Sequence, residues 1–329
     1  MENYENLIQK IKSFDAFEGQ ILLNEPIAPK TTFKIGGSTD IFIKPKNYYS
    51  FQIVLDSVLA AKIRFFILGG GSNIVFTDQA FHGVVISTQD FSDIDFFNVN
   101  DCPKEFGNIS LKKNQVLVTC FSGTSIASLV HFCTQNNLSG LEEFAGLPGT
   151  VGGALFMNAR CFNKSISDVL FSSSFMDYSS GKVKLNKMLT NPEQWDYKTS
   201  PYQNKQIFIT TATFFLVQQK ASEHEQLEAA CKKFINERVE KGHFKYPSAG
   251  SVFRNNRDFG KPSGQIIDEA GLKGFKIGNA QVAPFHGNFI INLGGAKATE
   301  IRQLVEHIQS EVNNKYGFNL NPEIIFVDN

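Results

Sequence analysis

Long apolar runs are missing from this 329-residue chain. No stretch reaches the roughly 18 residues that a membrane-spanning helix needs. The opening residues, MENYENLIQKIKSF, are polar with a helical period, unlike a secretory leader. Net charge is absent as well: Lys and Arg total 32 against 32 Asp and Glu, so no global field draws the chain to nucleic acid or to a membrane. Cysteine is scarce and unpatterned. The five residues Cys102, Cys120, Cys133, Cys161 and Cys231 are odd in number and contain no C-x-x-C pair. That excludes a disulfide framework and zinc-ligand spacing, so no metal site is expected, and it fits a reducing cytoplasm. Three fingerprints are also lacking: G-x-G-x-x-G of dinucleotide folds, G-x-x-x-x-G-K-[ST] of phosphate loops, and the G-x-S-x-G elbow of serine hydrolases. There is no internal repeat and no low-complexity segment.

What is present is material for packed cores. The chain is 42% hydrophobic and 19% charged, and its length suits two or three domains. Phe is frequent, at 32 residues, which reads as codon bias rather than aromatic function. Residues 51–62 place Val54, Leu55, Val58, Leu59 and Ala61 at helical spacing, and 125–137 do the same with Ile126, Leu129, Val130 and Cys133. A helix entered at Thr299 carries Ile301, Leu304, Val305, Ile308 and Val312 on one face. Strands are expected at 63–68, at IVF after the glycine run, at 83–87, at 115–123 and at the terminal EIIFVD. The polar stretch 89–114 reads as a loop or hairpin excursion, and the charged, helical 221–240 as a bridge into a last unit. Strands and helices alternate without a βαβ rhythm, which favours an α+β fold over a doubly wound sheet.

Three glycine segments stand out. LGGGSN (68–73) follows a strand, so the backbone N–H groups of Gly69, Gly70 and Gly71, with the side chains of Ser72 and Asn73, suit an anion nest; a tight turn between strands is the alternative. AGLPGTVGGALFMNA (145–159) sets Gly146, Gly149, Thr150, Gly152, Gly153 and Ala154 in an apolar context, implying a backbone that something approaches closely, or a packed crossover. With TTFKIGGSTD (31–40), they suggest one extended, phosphate-bearing dinucleotide.

The last third holds the candidate chemistry. Arg238, Lys241, His243 and Lys245 gather positive charge ahead of PSAGSVFRN, where an anionic substrate could dock; a solvated face is the other reading, and the better one for Lys245. Ser251 lies between Gly250 and Val252-Phe253, a pair suited to entering a strand, and is either turn chemistry or a hydroxyl aimed at a substrate. No Asp–His partner is suggested by motif, so its role there is that of a proton donor. Lys273 sits in a glycine-flanked turn that could present its amine. His286 precedes the glycine leading into a strand, where histidine is more often a structural hydrogen-bonder. Glu323 enters an apolar strand, where burial is expected to raise its pKa, unless it forms a structural salt bridge.

The ordered motifs TTFKIGG, ILGGGSNIVF…GVVI, AGLPGTVGGALFMNA, PSAGSVFRN, AGLKGFKIGNAQV and NPEIIF resemble the UDP-N-acetylenolpyruvoylglucosamine reductase (MurB) family over about residues 20–327. The resemblance implies a cytoplasmic flavoenzyme in which NADPH reduces FAD and the flavin reduces an enolpyruvyl UDP-sugar. It also implies the FAD-binding fold of the vanillyl-alcohol-oxidase (PCMH) type with a C-terminal α+β substrate domain. The corresponding boundaries are 1–85 and 86–220 for two FAD-binding lobes and 221–329 for the substrate domain. By the same resemblance Ser251 protonates C2 after hydride reaches C3, Glu323 stabilises the enol-like intermediate, and Tyr197, Lys241, Asn255, Lys273 and His286 contact the substrate. The flavin would lie on Gly69 to Asn73 and on Gly146 to Ala154.

Three positions depart from the family pattern. DYKTS carries Lys198 where an arginine is usual, which keeps the charge and loses the bidentate fork. NARCFN (158–163) adds Arg160 near the flavin lobe, where it is expected to compensate for Lys198. Ile325 replaces an arginine often found two residues past the glutamate. The short span from Tyr197 to Ser251 lacks room for a Tyr-bearing substrate loop, which marks the branch without it. The alternatives are another FAD-dependent oxidoreductase of the same fold, or a catalytically impaired FAD- or UDP-sugar-binding protein. No nucleic acid, membrane or obligate protein partner is expected.

Overall fold

A computed structural model describes residues 2–98 and 114–329. Part of the expected excursion at 89–114 and Cys102 therefore lie outside the described residues; the excursion begins as the strand Ile94–Asn98. The chain divides into two compact units, Met1–Ile21, Ile43–Gly70 and Val85–Asn236 in one, Leu22–Phe42, Gly71–Val84 and Glu237–Asn329 in the other. Neither is a continuous stretch, whereas the sequence reading cuts once at 85 and once at 220. The divisions fall inside the strands Gly19–Pro26, Ser38–Pro45 and Phe81–Ser87 and inside the helix His224–Glu240. The α+β class holds: strands pair mainly antiparallel, with helices laid on them in no βαβ rhythm.

The first unit is built on a sheet in the order Lys184–Leu189, Leu170–Asp177, Ile207–Gln218, Gln115–Phe121, Ile94–Asn98. Alternation decides its faces. Val116, Val118 and Cys120 on one strand and Ala212, Phe214 and Leu216 on its partner share a core with Ile126, Leu129, Val130 and Cys133 of the helix Ile126–Gln135. On the other face Thr119 and Thr213, opposed in register, hydrogen-bond through their hydroxyls at 2.9 Å. Each buried Leu, Ile or Val contributes about 1.5–3 kcal/mol of transfer free energy. The helix Tyr48–Ala60 starts where the Asn47 side chain accepts from the Ser50 amide, and it buries Phe51, Val54, Leu55 and Val58. Phe51 stacks on Phe208 at 3.8 Å.

The second unit holds an antiparallel sheet in the order Ser248–Ser251, Phe289–Asn292, Ala280–Val282, Lys276–Ile277, and a parallel pair of Ile74–Phe76 with Ile325–Val327. The helix Ala298–Tyr316 buries the five residues its spacing predicts, Ile301, Leu304, Val305, Ile308 and Val312. It begins one residue before Thr299. Its first-turn amides on Ala298 and Thr299 donate to the Asp78 carboxylate at 2.6 and 3.0 Å, which satisfies two donors that the helix itself leaves unpaired.

Candidate active site

The glycine segments of the first unit meet each other. A Cβ on Gly70 would stand 2.5 Å from the Gly149 Cα, and one on Gly69 would stand 2.7 Å from the Thr150 hydroxyl. Part of what approaches these glycines is thus the chain itself. The second segment is not a simple crossover: Thr150 caps the short helix Val151–Phe156, accepting from the Gly153 amide. The amides of Val151 and Gly152 donate to the carbonyls of Thr124 and Ser122 at 2.9 and 2.8 Å, which ties the turn to the end of the strand Gln115–Phe121. Gly153 differs from its neighbours. It is exposed, and a Cβ there would meet only the Thr150 hydroxyl, at 3.6 Å. Gly69 and Gly70 are thus needed where the chain packs on itself, while Gly153 leaves exposed, side-chain-free backbone that fits the close approach of a flavin dinucleotide.

The run continues into the second unit at Gly71. There the Thr32 amide donates to the Gly71 carbonyl at 3.1 Å, and the Thr32 hydroxyl to the Ser248 carbonyl at 2.7 Å. Three motifs that are distant in sequence, TTFKIGG, GGGSN and PSAGS, are thereby joined. The Asn73 side-chain amide donates to the Glu323 carbonyl at 3.0 Å, and the Ile325 amide to the Asn73 carbonyl at 3.0 Å.

Ser251 ends its strand instead of leading into one. Gly250 adopts φ +73, a conformation costly for other residues, and the register slips between Ser248 and Ser251. Asn288 then takes over from the ladder. Its side-chain oxygen accepts from the Phe253 amide and its nitrogen donates to the Phe253 carbonyl, both at 2.8 Å, while the Val252 amide donates to the Asn288 carbonyl. This turns Val252 and Phe253 into the core. The Glu323 amide donates to the Val252 carbonyl at 2.6 Å, and Pro322 bridges to Phe253, so the Glu323 and Ser251 segments lie side by side. Glu323 is 8% exposed and precedes the strand Ile325–Val327, which starts two residues later than expected.

The cations are less uniform than the sequence suggests. Arg238 is buried, while Lys245 is exposed and lies over the Phe285 ring at 5.3 Å. Burial, together with the neighbouring Arg238, His286 and Lys241, pushes His243 down to about 4, so its imidazole is neutral and adds nothing to the positive charge expected there. His286 is also held below the ordinary imidazole range, by burial first and then by Lys241 and Lys273. The last two are thereby near it in space. Lys273 pairs with Asp268 at 2.9 Å. The Asn255 side chain accepts from the Ser263 amide at 2.8 Å.

The remaining candidates sit in the first unit. Arg160 is exposed and reaches the Ser165 hydroxyl at 3.3 Å. Tyr197 is exposed, and Lys198 has φ +56. The two loops are stitched together: Asn158 donates to the Asp196 carbonyl, Ser200 to the Phe156 carbonyl, and Gln203 to the carbonyls of both Phe156 and Lys198. Asn288, His243 as a neutral group, and the Asp78 cap were missed by sequence reasoning. For Asn288 the signal was there, as an amide directly before the apolar run 289–291.

Comparison with known proteins adds the following. Residues 39–185 match the family described as FAD binding domain, and residues 242–327 match that described as UDP-N-acetylenolpyruvoylglucosamine reductase, C-terminal domain. The chain is 40% identical to the UDP-N-acetylenolpyruvoylglucosamine reductase of Treponema denticola, covering 94% of each chain. It is 31% identical to that of Bacillus subtilis, covering 97% of each. Among solved structures, the corresponding reductase of Thermus caldophilus aligns with TM-score 0.67 at 26% identity, over 94% of this chain and all of that one.

Proposed function

The chain belongs to the UDP-N-acetylenolpyruvoylglucosamine reductase family, and from that membership we propose which of its residues carry the reaction. It is an FAD-dependent oxidoreductase that converts the enolpyruvyl ether of a UDP-N-acetylglucosamine to the lactyl ether of UDP-N-acetylmuramate, a step of peptidoglycan precursor synthesis. Bound FAD supplies the hydride, taken from NADPH, that reaches C3 of the enolpyruvyl group.

Ser251 gives its hydroxyl proton to C2. An alcohol is a weak acid, and it suffices because the enol-like species formed at C2 is strongly basic. Glu323 stabilises that species from the adjoining segment. Lys241, Asn255, Lys273, His286 and Tyr197 hold the UDP-sugar. Lys198 faces the substrate carboxylate as a point charge, and Arg160, on a loop stitched to that of Lys198, restores the planar guanidinium that lysine lacks. The flavin is held on Gly69 to Asn73 and Gly146 to Ala154, in lobes spanning 1–85 and 86–220, with 221–329 serving the substrate. The reducing cytoplasm expected from the cysteine pattern is the compartment proposed for the reaction.

The observation that carries this reading is the main-chain bond from Glu323 to Val252, which sets the glutamate beside the residue following Ser251. The test is anaerobic. The purified protein is checked for flavin absorbance, reduced with NADPH, and mixed with the enolpyruvyl UDP-sugar. Rapid return of oxidised flavin in the wild type, lost in Ser251→Ala, is the expected result. Equal reoxidation in the variant removes the serine from the chemistry.

A further inference from the structure

His243 has no part in the roles assigned above, yet its ring belongs to a three-ring cluster beside Ser251. Ser251 and Phe289 are opposed residues of neighbouring antiparallel strands, so their side chains share one face of the sheet. On Phe289 lie two imidazoles, His243 at 4.8 Å and His286 at 4.5 Å between ring centroids. The imidazoles themselves meet edge-on, 6.4 Å apart at 90°. A third side of His286 is covered by backbone: a Cβ on Gly264 would lie 3.3 Å from its Cε1.

The hydrogen bonding of His286 fixes its tautomer. The Asn288 amide donates to Nδ1 at 3.2 Å, and an accepting Nδ1 leaves the ring proton on Nε2. His286 is thus a neutral donor pointing one N–H away from its own loop. A charged imidazole would lose the Asn288 bond, because both ring nitrogens would then be donors.

We propose that His243 is a positioning residue for His286: its ring, wedged against His286 and Phe289, keeps water from the His286 imidazole and so holds it as a neutral Nε2–H donor to the substrate. The proposal rests on the reading of His286 as a substrate contact. The charged groups acting on the pair are Arg238 from the helix His224–Glu240, Lys241 from the turn after it, and Lys273 from the turn after the helix Ser263–Glu269, paired with Asp268 of that helix; a main-chain hydrogen bond of His286 acts in the opposite sense. All are cations except Asp268, whose charge is engaged by Lys273. They oppose protonation of the imidazoles, as does burial. Shape, not basicity, is the property His243 supplies, so a phenyl ring should replace it and a methyl group should not.

The experiment is a titration of the histidine rings by nitrogen NMR in the FAD-loaded protein, with His286→Asn to assign the His286 signal, alongside KM and kcat against pH from about 5 to 8. In His243→Ala the His286 midpoint should move upward. KM for the enolpyruvyl UDP-sugar should rise several-fold on the acid side while kcat changes less, because the protonated ring keeps its Nε2–H but loses the Asn288 bond that aims it. His243→Phe should return both to wild-type behaviour. A His286 titration unchanged in His243→Ala, or His243→Phe behaving as His243→Ala does, overturns the proposal. Unchanged KM in His286→Asn would instead remove His286 from substrate binding, and the NMR titration would still judge whether His243 shields it.

Discussion

The amide of Glu323 donates to the carbonyl of Val252 at 2.6 Å. The segments carrying the proposed proton donor and the proposed enol-stabilising acid are therefore coupled through main chain, one residue from Ser251, so the spacing of their backbones is fixed. The two roles should separate kinetically. Ser251→Ala should leave reduction by NADPH intact and slow transfer to the enolpyruvyl UDP-sugar by about 10²–10⁴-fold. Glu323→Gln should slow the same half-reaction. Stopped-flow measurement of each half-reaction checks this, and slowing of both halves alike would point to damage at the flavin.

The glycine cradle yields a contrast between two alanines. Gly70→Ala puts a methyl 2.5 Å from the Gly149 backbone, which has no flexible end to move aside, so this variant should lose flavin and fold poorly. Gly153→Ala adds a methyl that meets only the Thr150 hydroxyl at 3.6 Å. It should fold as well as the wild type by thermal denaturation of the apoprotein, yet bind FAD more weakly in a fluorescence titration. Wild-type affinity in Gly153→Ala would take that glycine off the flavin.

Much of this arrangement was legible in the sequence, and the parts that were not share a cause. The helix Ala298–Tyr316 could be read because Ile301, Leu304, Val305, Ile308 and Val312 repeat at the helical period, a local signal. Ser251 stood out through its motif. The end of its strand did not, since that depends on Asn288, remote in sequence, taking both main-chain groups of Phe253. His243 reads as charge among Arg238, Lys241 and Lys245, and only the packing against Phe289 shows it to be neutral. The interleaving of the two units was hidden for the same reason: it follows from strand partners chosen at long range.

Asp78 should be worth more to stability than its half-buried setting suggests. It receives the amides of Ala298 and Thr299 and the Thr299 hydroxyl, the last at 3.0 Å, at the positive end of a long helix. Asp78→Ala should cost about 1–2 kcal/mol. Urea denaturation of the apoprotein measures it, and Asp78→Asn should recover part of the loss through its remaining acceptor.

Acid should weaken the fold through His243. The unfolded imidazole takes up a proton near its ordinary 6.5, whereas in the folded protein burial delays protonation to about 4. Between these values the unfolded chain binds more protons, so stability falls as pH drops from about 6.5 to 4. His286, depressed in the same direction, adds to the slope. In His243→Phe the profile of Tm against pH should be flatter over that window. An unaltered profile would mean that other groups govern acid sensitivity.

The pair Arg160 and Lys198 is the sharpest place to test how this chain departs from its family. Lys198 supplies charge without a fork, and the segments bearing the two residues are tied by Asn158 to the Asp196 carbonyl at 2.8 Å and by Gln203 to the Phe156 carbonyl at 2.9 Å. If Arg160 supplies the missing guanidinium, Arg160→Ala should lower turnover at least about tenfold, roughly 1.4 kcal/mol of barrier. Lys198→Arg in that background should restore most of the loss, because the fork returns at the family position. Asn158→Ala, which loosens the tie without removing either charge, should fall between. An unchanged rate in Arg160→Ala would leave Lys198 as the sole carrier of the role.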